Sequence, residues 1–289
     1  MTKSALFVGL ITLDLIYLAQ SPPNNNQKLV ATDYTVAAGG PATNASVTFS
    51  YLGNKSQILG VLGSHHITQL ITTDLANYQV TIIDLDANKQ TSPPVSSIIV
   101  TESTGERAVI SINAVKTQAN INSLPPHILE NVDLVLIDGH QMVISKIIAQ
   151  QAKIKNIPIV IDGGSWKPGF EEILPYVDYA ICSANFYPPN CKKEEDVFNY
   201  LQALKIPHIA ITQGEKPIQY LSSEKRGFIN VPKIKPLDTL GAGDIFHGAF
   251  CHYILQTNFT AALELAGKIA SKTCKYFGTR SWMQCEIRF

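Results

Sequence analysis

The chain lacks most of the features that give an early answer about function. Basic and acidic side chains are equal in number, 23 of each, so there is no formal net charge. That removes the electrostatic footprint of a nucleic-acid binder, and no polybasic run offers a grip on an anionic membrane surface. No apolar stretch reaches the roughly 18 residues that a membrane span needs. Cysteine is scarce and odd in number, at positions 182, 191, 251, 274 and 285, with no Cys-x-x-Cys pair. This pattern argues against a disulfide framework or a zinc site, and for reduced thiols in a cytoplasmic protein. His247 and His252 do not have the i,i+4 spacing of a helical zinc pair, and His65-His66 reads as a loop or helix start. No Gly-x-x-x-x-Gly-Lys-Ser/Thr run exists, which excludes a Walker-type phosphate loop. No Gly-x-Gly-x-x-Gly follows the first apolar run, which weakens a dinucleotide-binding reading. Lys3 and the apolar stretch from Ala5 to Ala19 imitate a secretory leader. Asp14 interrupts that stretch, and Ser21-Pro22-Pro23 makes a poor cleavage site.

What is present is enough apolar sequence for a large core: 45% of the 289 residues are hydrophobic and 16% charged. The length fits one large α/β domain with a small appendage, or two modest domains. Short apolar runs at Ala5–Leu10, Ser56–Leu62, Val132–Asp138, Ile157–Asp162, Tyr179–Ser183 and His208–Thr212 read as strands covered on both faces. Helical patterns fall between and after them, at Pro41–Tyr51, Ile67–Ala76, Val143–Lys155, Glu194–Leu204, Gly243–Leu255 and Thr260–Tyr276. Such alternation predicts a mostly parallel, doubly wound sheet between layers of helices. Two segments break the rhythm, residues 12–36 and 94–113. In the second, Ser103-Thr104-Gly105-Glu106 lies between two apolar stretches, a hairpin pattern. Together they are expected to form a small β-sheet over the main body, placed to exclude water from a reaction site.

The richest run is Asp238-Thr239-Leu240-Gly241-Ala242-Gly243-Asp244, which opens directly onto an apolar helix. Amides at a helix start are unpaired and carry partial positive charge. Glycines there let a phosphate approach the backbone closely. A carboxylate beside bound phosphate is a poor binder but a sensible base for an attacking hydroxyl. Taken alone, Asp244 reads more readily as a helix cap than as a base.

The whole run resembles the C-terminal signature of the ribokinase-like, or PfkB, carbohydrate kinases. Three further stretches resemble that family in the same order: Val8-Gly9 with Asp14, Gly39-Gly40-Pro41-Ala42-Thr43-Asn44 with Leu52-Gly53, and Ile211-Thr212-Gln213-Gly214. The resemblance spans nearly the whole chain and implies a single ribokinase-like domain of three layers with a β-sheet lid. It also implies transfer of the ATP γ-phosphoryl group to a hydroxymethyl group of a sugar or sugar derivative. Asp244 would be the base, with Gly241, Ala242 and Gly243 as the anion hole. Asp14, Gly39, Gly40 and Asn44 would hold the acceptor, and Asn185, Thr212 and Gly214 the nucleotide. Magnesium would accompany ATP. A monovalent cation, potassium, would sit by Asp238 and the backbone around Gly278 to Ser281. A homodimer through the lid is implied as well.

Two departures stand out. Pro188 replaces the Glu of the family's Asn-x-x-Glu, and Pro217 replaces the last Gly of its Thr-x-Gly-x-x-Gly. Glu194 or Glu195 is a candidate substitute for the missing carboxylate. Lys167 and Arg107 are candidate contacts for an anionic acceptor, though each also reads as a solvated surface charge. A nucleoside kinase of the same fold and a non-catalytic sugar-binding protein are the competing functions.

Overall fold

The computed structural model describes residues 2–112, 114, 117–223 and 225–284. Cys285, and Asn113 at the end of the second lid segment, lie outside them. The main sheet has nine strands. In chain order these are β1 (Ser4–Val8), β4 (Lys55–Gly60), β5 (Val80–Asp84), β8 (Leu134–Ile137), β9 (Ile159–Gly163), β10 (Tyr179–Ser183), β11 (His208–Gln213), β12 (Lys216–Ser222) and β13 (Lys225–Ile229). They lie side by side as β13-β12-β11-β10-β9-β8-β1-β4-β5. Pairings from β5 through β11 are parallel, and the β11–β12 and β12–β13 pairings are antiparallel.

Alternation along each strand feeds two cores. Ala5 and Phe7 of β1 face one layer, while Leu6 and Val8 face the other. The first layer holds α1 (Pro41–Tyr51), α2 (Thr68–Asn77), α6 (Ala242–Ile254) and α7 (Phe259–Thr273). The second holds α3 (Met142–Ile154), α4 (Phe170–Ile173) and α5 (Glu194–Ala203). Helix α6 packs between α1 and α7 in this layer, which is why Ile245, Phe246, Ala249 and Phe250 are all buried.

The sheet grows in one direction from β1 to β4 and β5, and in the other from β8 onward. The chain therefore reverses at the β1/β8 junction. In open α/β sheets the crevice at the carboxyl ends of the strands beside such a reversal is where ligands bind.

A separate four-stranded sheet forms from β2 (Thr12–Ala19), β3 (Asp33–Gly39), β6 (Val95–Thr101) and β7 (Arg107–Ile110), in the order β3-β2-β6-β7. The two segments that break the sequence rhythm thus pair with each other, β2 running parallel to β6. The β6–β7 hairpin turns at Gly105 as its sequence indicates. Period-two alternation puts Asp14 and Ile16 on the covered face and Tyr17 on the open one. Strands β5, β12 and β13 and the single-turn α4 are additions to the sequence reading.

Candidate active site

Helix α6 begins at a glycine-rich turn held from three sides. Gly241 stands at its N-cap with φ of 68°. Asp238 clamps the turn: Oδ1 accepts the Leu240 amide at 2.7 Å, and Oδ2 the Gly278 amide at 2.8 Å. The tip of the β6–β7 hairpin touches the same turn. There the Thr239 amide and hydroxyl donate to Gly105 O at 3.1 Å and 2.9 Å. A side-chain carbon added to Gly243 would meet nothing within 4 Å. Gly243 thus faces open space, as a phosphate site needs, while Gly241 lies against Thr279.

Asp244 lies in the first turn of α6 and is only partly exposed. Dense surroundings, and then the nearby Asp162 carboxylate, push its carboxyl up to about 7, against the opposing pull of Asn44, His247 and Arg107. A carboxyl poised there is matched to general-base work near neutral pH.

Asn44 Nδ2 donates to Asp244 Oδ2 at 2.8 Å. Asn44 reaches this position because Gly39-Gly40-Pro41 turns the chain sharply from β3 into α1. Gly40, at φ of 103°, serves as N-cap and Pro41 opens the helix. Any side chain on Gly39 would overlap the Asp14 carboxylate. Asp14, on β2, is buried and accepts the Thr12 hydroxyl at 2.9 Å. Burial raises its carboxyl above the usual range, tempered by the Thr12 and Ser96 hydroxyls and the Arg280 charge. Asp14, Gly39, Gly40, Asn44 and Asp244 therefore form one cluster, drawn from the small sheet, α1 and α6.

Several site residues carry little sequence signal. Asp138 follows β8 directly and ties the crevice together. It accepts the amides of Leu10 at 2.9 Å, Ala42 at 3.1 Å and His140 at 2.9 Å. Burial alone would push its carboxyl up. The His140 ring and the Leu10 amide outweigh that and hold it down at about 2. Behind Asp244, His247 Nδ1 lies 2.8 Å from Gly243 O and 3.4 Å from Asp162 Oδ2. Arg280 reaches in from the segment after α7, with Nη1 2.9 Å from Asn44 Oδ1. Only a strand end marks Asp138 and Asp162 in the sequence, and nothing periodic marks Arg280.

Arg107 and Lys167 are better placed than a solvated-charge reading expects. Arg107 Nη1 lies 3.3 Å from Thr239 Oγ1 and 3.5 Å from Thr239 O, so the hairpin carries a cation to the glycine-rich turn. Lys167 is half-buried, with its ammonium 5.9 Å from the Phe170 ring centre and its charge felt by Asp138 and Asp162.

On the other side of the crevice, Asn185 follows β10 and Thr212 lies near the end of β11. The Ala184 amide donates to Thr212 O at 3.0 Å, joining the two strand ends. Gly214 turns the chain into β12 at φ of 63°, again with open space beside it. Glu194 and Glu195 are both occupied elsewhere. Glu194 accepts the side-chain amides of Gln213 and Gln219. Glu195 pairs with both terminal nitrogens of Arg226, at 2.5 Å and 2.9 Å. Among the described residues no cluster of three or more His, Cys, Asp or Glu is arranged to hold a metal ion.

A carbohydrate-kinase family model, pfkB, matches residues 2–284. The chain belongs to the pfkB family of carbohydrate kinases. It is a phosphotransferase with an alcohol group as acceptor. Ribokinase of Bacillus subtilis is 24% identical over 97% of this chain and 96% of its own length. Ketohexokinase of Mus musculus is 23% identical over 94% and 96%. Among solved structures, ribokinase of Giardia lamblia superposes with a TM-score of 0.81 at 17% identity, covering 98% of this chain and 96% of that one. Arabidopsis thaliana ribokinase complexed with ribose and ATP gives 0.75 at 19% identity, covering 98% of each chain. These likenesses agree with the mostly parallel sheet and the small separate one.

Proposed function

We propose that the protein transfers the γ-phosphoryl group of ATP to a hydroxymethyl group of a sugar or sugar derivative, with Asp244 as the general base. The observation that carries this reading is the Asn44–Asp244 contact of 2.8 Å. It joins the acceptor cluster to a carboxyl pushed up to about 7 at the start of an open helix. Asp14 and Asn44 would hold acceptor hydroxyls, and Gly39 and Gly40 would let the acceptor lie against the backbone. Asp244 would take the proton as the hydroxyl oxygen attacks in line with the departing ADP. The amides of Gly241, Ala242 and Gly243 would receive the charge of the transferred group, and Arg107 would add a cation beside it. Asn185, Thr212 and Gly214 would line the nucleotide.

Magnesium fits this site through phosphate oxygens and water, since the described residues offer no protein cage. Bound there, it would neutralise charge on the β- and γ-phosphates. The Asp238 carboxylate and backbone oxygens around Gly278 to Ser281 are hard donors that suit a monovalent cation such as potassium. We further propose one domain in which the small sheet acts as a lid, and a homodimer through that sheet. Tyr17, Tyr34, Val36 and Ile110 are exposed on its open face. A cytoplasmic location suits the free thiols of Cys182, Cys191, Cys251 and Cys274.

ATP consumption over a panel of sugars and nucleosides, with Asp244→Ala as control, tests the reading. Turnover confined to sugars supports it. Turnover with nucleosides alone moves the acceptor class. Tight sugar binding without ATP consumption would establish a binding protein instead.

A further inference from the structure

Arg280 makes more polar contacts at this site than any other side chain, although no part of the proposed chemistry uses it. Its side chain is 11% exposed, and Nη1 also lies 3.1 Å from the hydroxyl of Thr279, whose methyl group lies against Gly241. Nη2 donates to Ala38 O at 2.7 Å and pairs with Asp74 Oδ2 at 3.3 Å. The guanidinium lies over the Tyr78 ring, 5.5 Å from its centre. Nη1 donates to Asn44 Oδ1 at 2.9 Å. Asp74 in turn accepts the Ala38 amide at 2.9 Å, so the end of β3, α2 and the segment after α7 are fixed to one another.

The chemistry of the contact gives it a direction. A carboxamide has one end that accepts and one that donates, and the two are nearly the same size. A guanidinium has only donors. The Asn44 atom facing Arg280 must therefore be its oxygen, and the atom facing Asp244 must be its NH2. Asn44 without Arg280 could turn its amide over and present oxygen to oxygen at the Asp244 carboxylate. With Arg280 in place only one orientation satisfies both neighbours. Asp244 Oδ2 is then occupied by a donor, which leaves Oδ1 for the acceptor hydroxyl.

We propose that Arg280 is a positioning residue: it fixes the Asn44 amide so that its NH2 donates to Asp244, holding the base ionised and oriented. The inference rests on Asp244 being the base only as far as the rate is concerned; the orientation of Asn44 stands on geometry alone. The groups that bear on Asp244 are Asn44 on α1, Asp162 on β9, His247 on α6 and Arg107 on β7. Asn44 is the one among them that Arg280 touches.

A double-mutant cycle on the full chain tests this, using Arg280→Met, Asn44→Ala and the pair. The primary readout is the titration of the Asp244 carboxyl carbon by NMR in the unliganded protein; the second is kcat/KM against pH. Removing a hydrogen bond to the charged form raises an acid's pKa. Arg280→Met should move the Asp244 titration upward by about one unit, with kcat/KM at pH 7 down about fivefold. In the Asn44→Ala background the same change should add nothing. Arg280→Lys, still donor-only, should restore the titration, whereas Arg280→Gln, which can also accept, should not. These two variants carry the test if Arg280→Met does not fold. An Asp244 titration unmoved in folded Arg280→Met or Arg280→Gln overturns the proposal, as does a shift that persists undiminished without Asn44. Asp244→Asn is assayed alongside. Retained turnover there removes the base assignment and leaves the titration to judge Arg280 by itself.

Discussion

Gly248 of α6 faces the carbonyl oxygen of Ala45 on α1 with no room for a methyl group between them. A Cβ at Gly248 would overlap that oxygen and come within 2.7 Å of Thr48 Cβ. This close crossing of α1 and α6 brings Asn44 to Asp244, 200 positions apart in the chain. Gly248→Ala should therefore cost about 1–3 kcal/mol by overpacking. It should also lower kcat by parting the two side chains. Wild-type melting temperature and kcat in this variant would disprove the relationship.

Removing the base should leave the fold intact. Asp244→Ala is expected to bind ATP and to lose roughly 10² to 10⁴ in turnover. Equilibrium nucleotide binding measured beside a steady-state assay separates the two effects. Near-wild-type turnover would refute the assignment.

The raised Asp244 carboxyl has a signature in pH. Activity needs the ionised form, so kcat/KM should climb through a limb near pH 7. Stability should move the opposite way. Between the unfolded value near 4 and about 7 the folded state binds the extra proton, so Asp244 weakens the fold as pH rises through that window. Asp244→Asn, which still offers an oxygen to Asn44 Nδ2, should melt higher than wild type at pH 8 and gain little at pH 4. Equal melting shifts at both pH values would contradict the raised carboxyl.

Arg107 is exposed and its contacts with Thr239 are long, so it contributes little to folding. Its expected contribution is to the reaction. Arg107→Ala should lower kcat by roughly 10², the scale seen for loss of one preorganised donor, with an unchanged melting temperature. An unchanged kcat would return Arg107 to the status of a surface charge.

Glu195 is spent on Arg226, 2.5 Å away at its nearer contact. Glu195→Ala should leave the magnesium dependence of the rate unchanged, as a titration of rate against free Mg²⁺ would show. A raised magnesium requirement would reinstate it as a substitute for the carboxylate missing at Pro188.

Much of this architecture was legible in the residues. The apolar runs of β1, β8, β9 and β10 are covered on both faces, so they stand out whatever surrounds them. Helix α1 spans Pro41–Tyr51 just as its sequence indicates, because Gly39-Gly40-Pro41 marks a start that depends on local geometry. Strand β13, Lys225–Ile229, is short, charged and at a sheet edge, so pairing makes it a strand where pattern does not. The same distinction runs through the site. Asp244 is announced by the turn it sits on. Arg280 acts from a segment without periodicity and Asp138 from a bare strand end, and their roles exist only once α1, β3 and α2 have assembled around them. Arg107 looks like any hairpin charge until the hairpin tip is seen to rest on Thr239.

Asp14 belongs to the small sheet and Asp244 to α6, yet both would grip the same acceptor. Two anchors on separate bodies act as a gauge. A sugar long enough to reach both would tie the sheet to α6, adding to the contact that Gly105 already makes with Thr239. A water molecule would engage one carboxylate at a time, so on this reading the pair of anchors would favour a sugar over water as the acceptor.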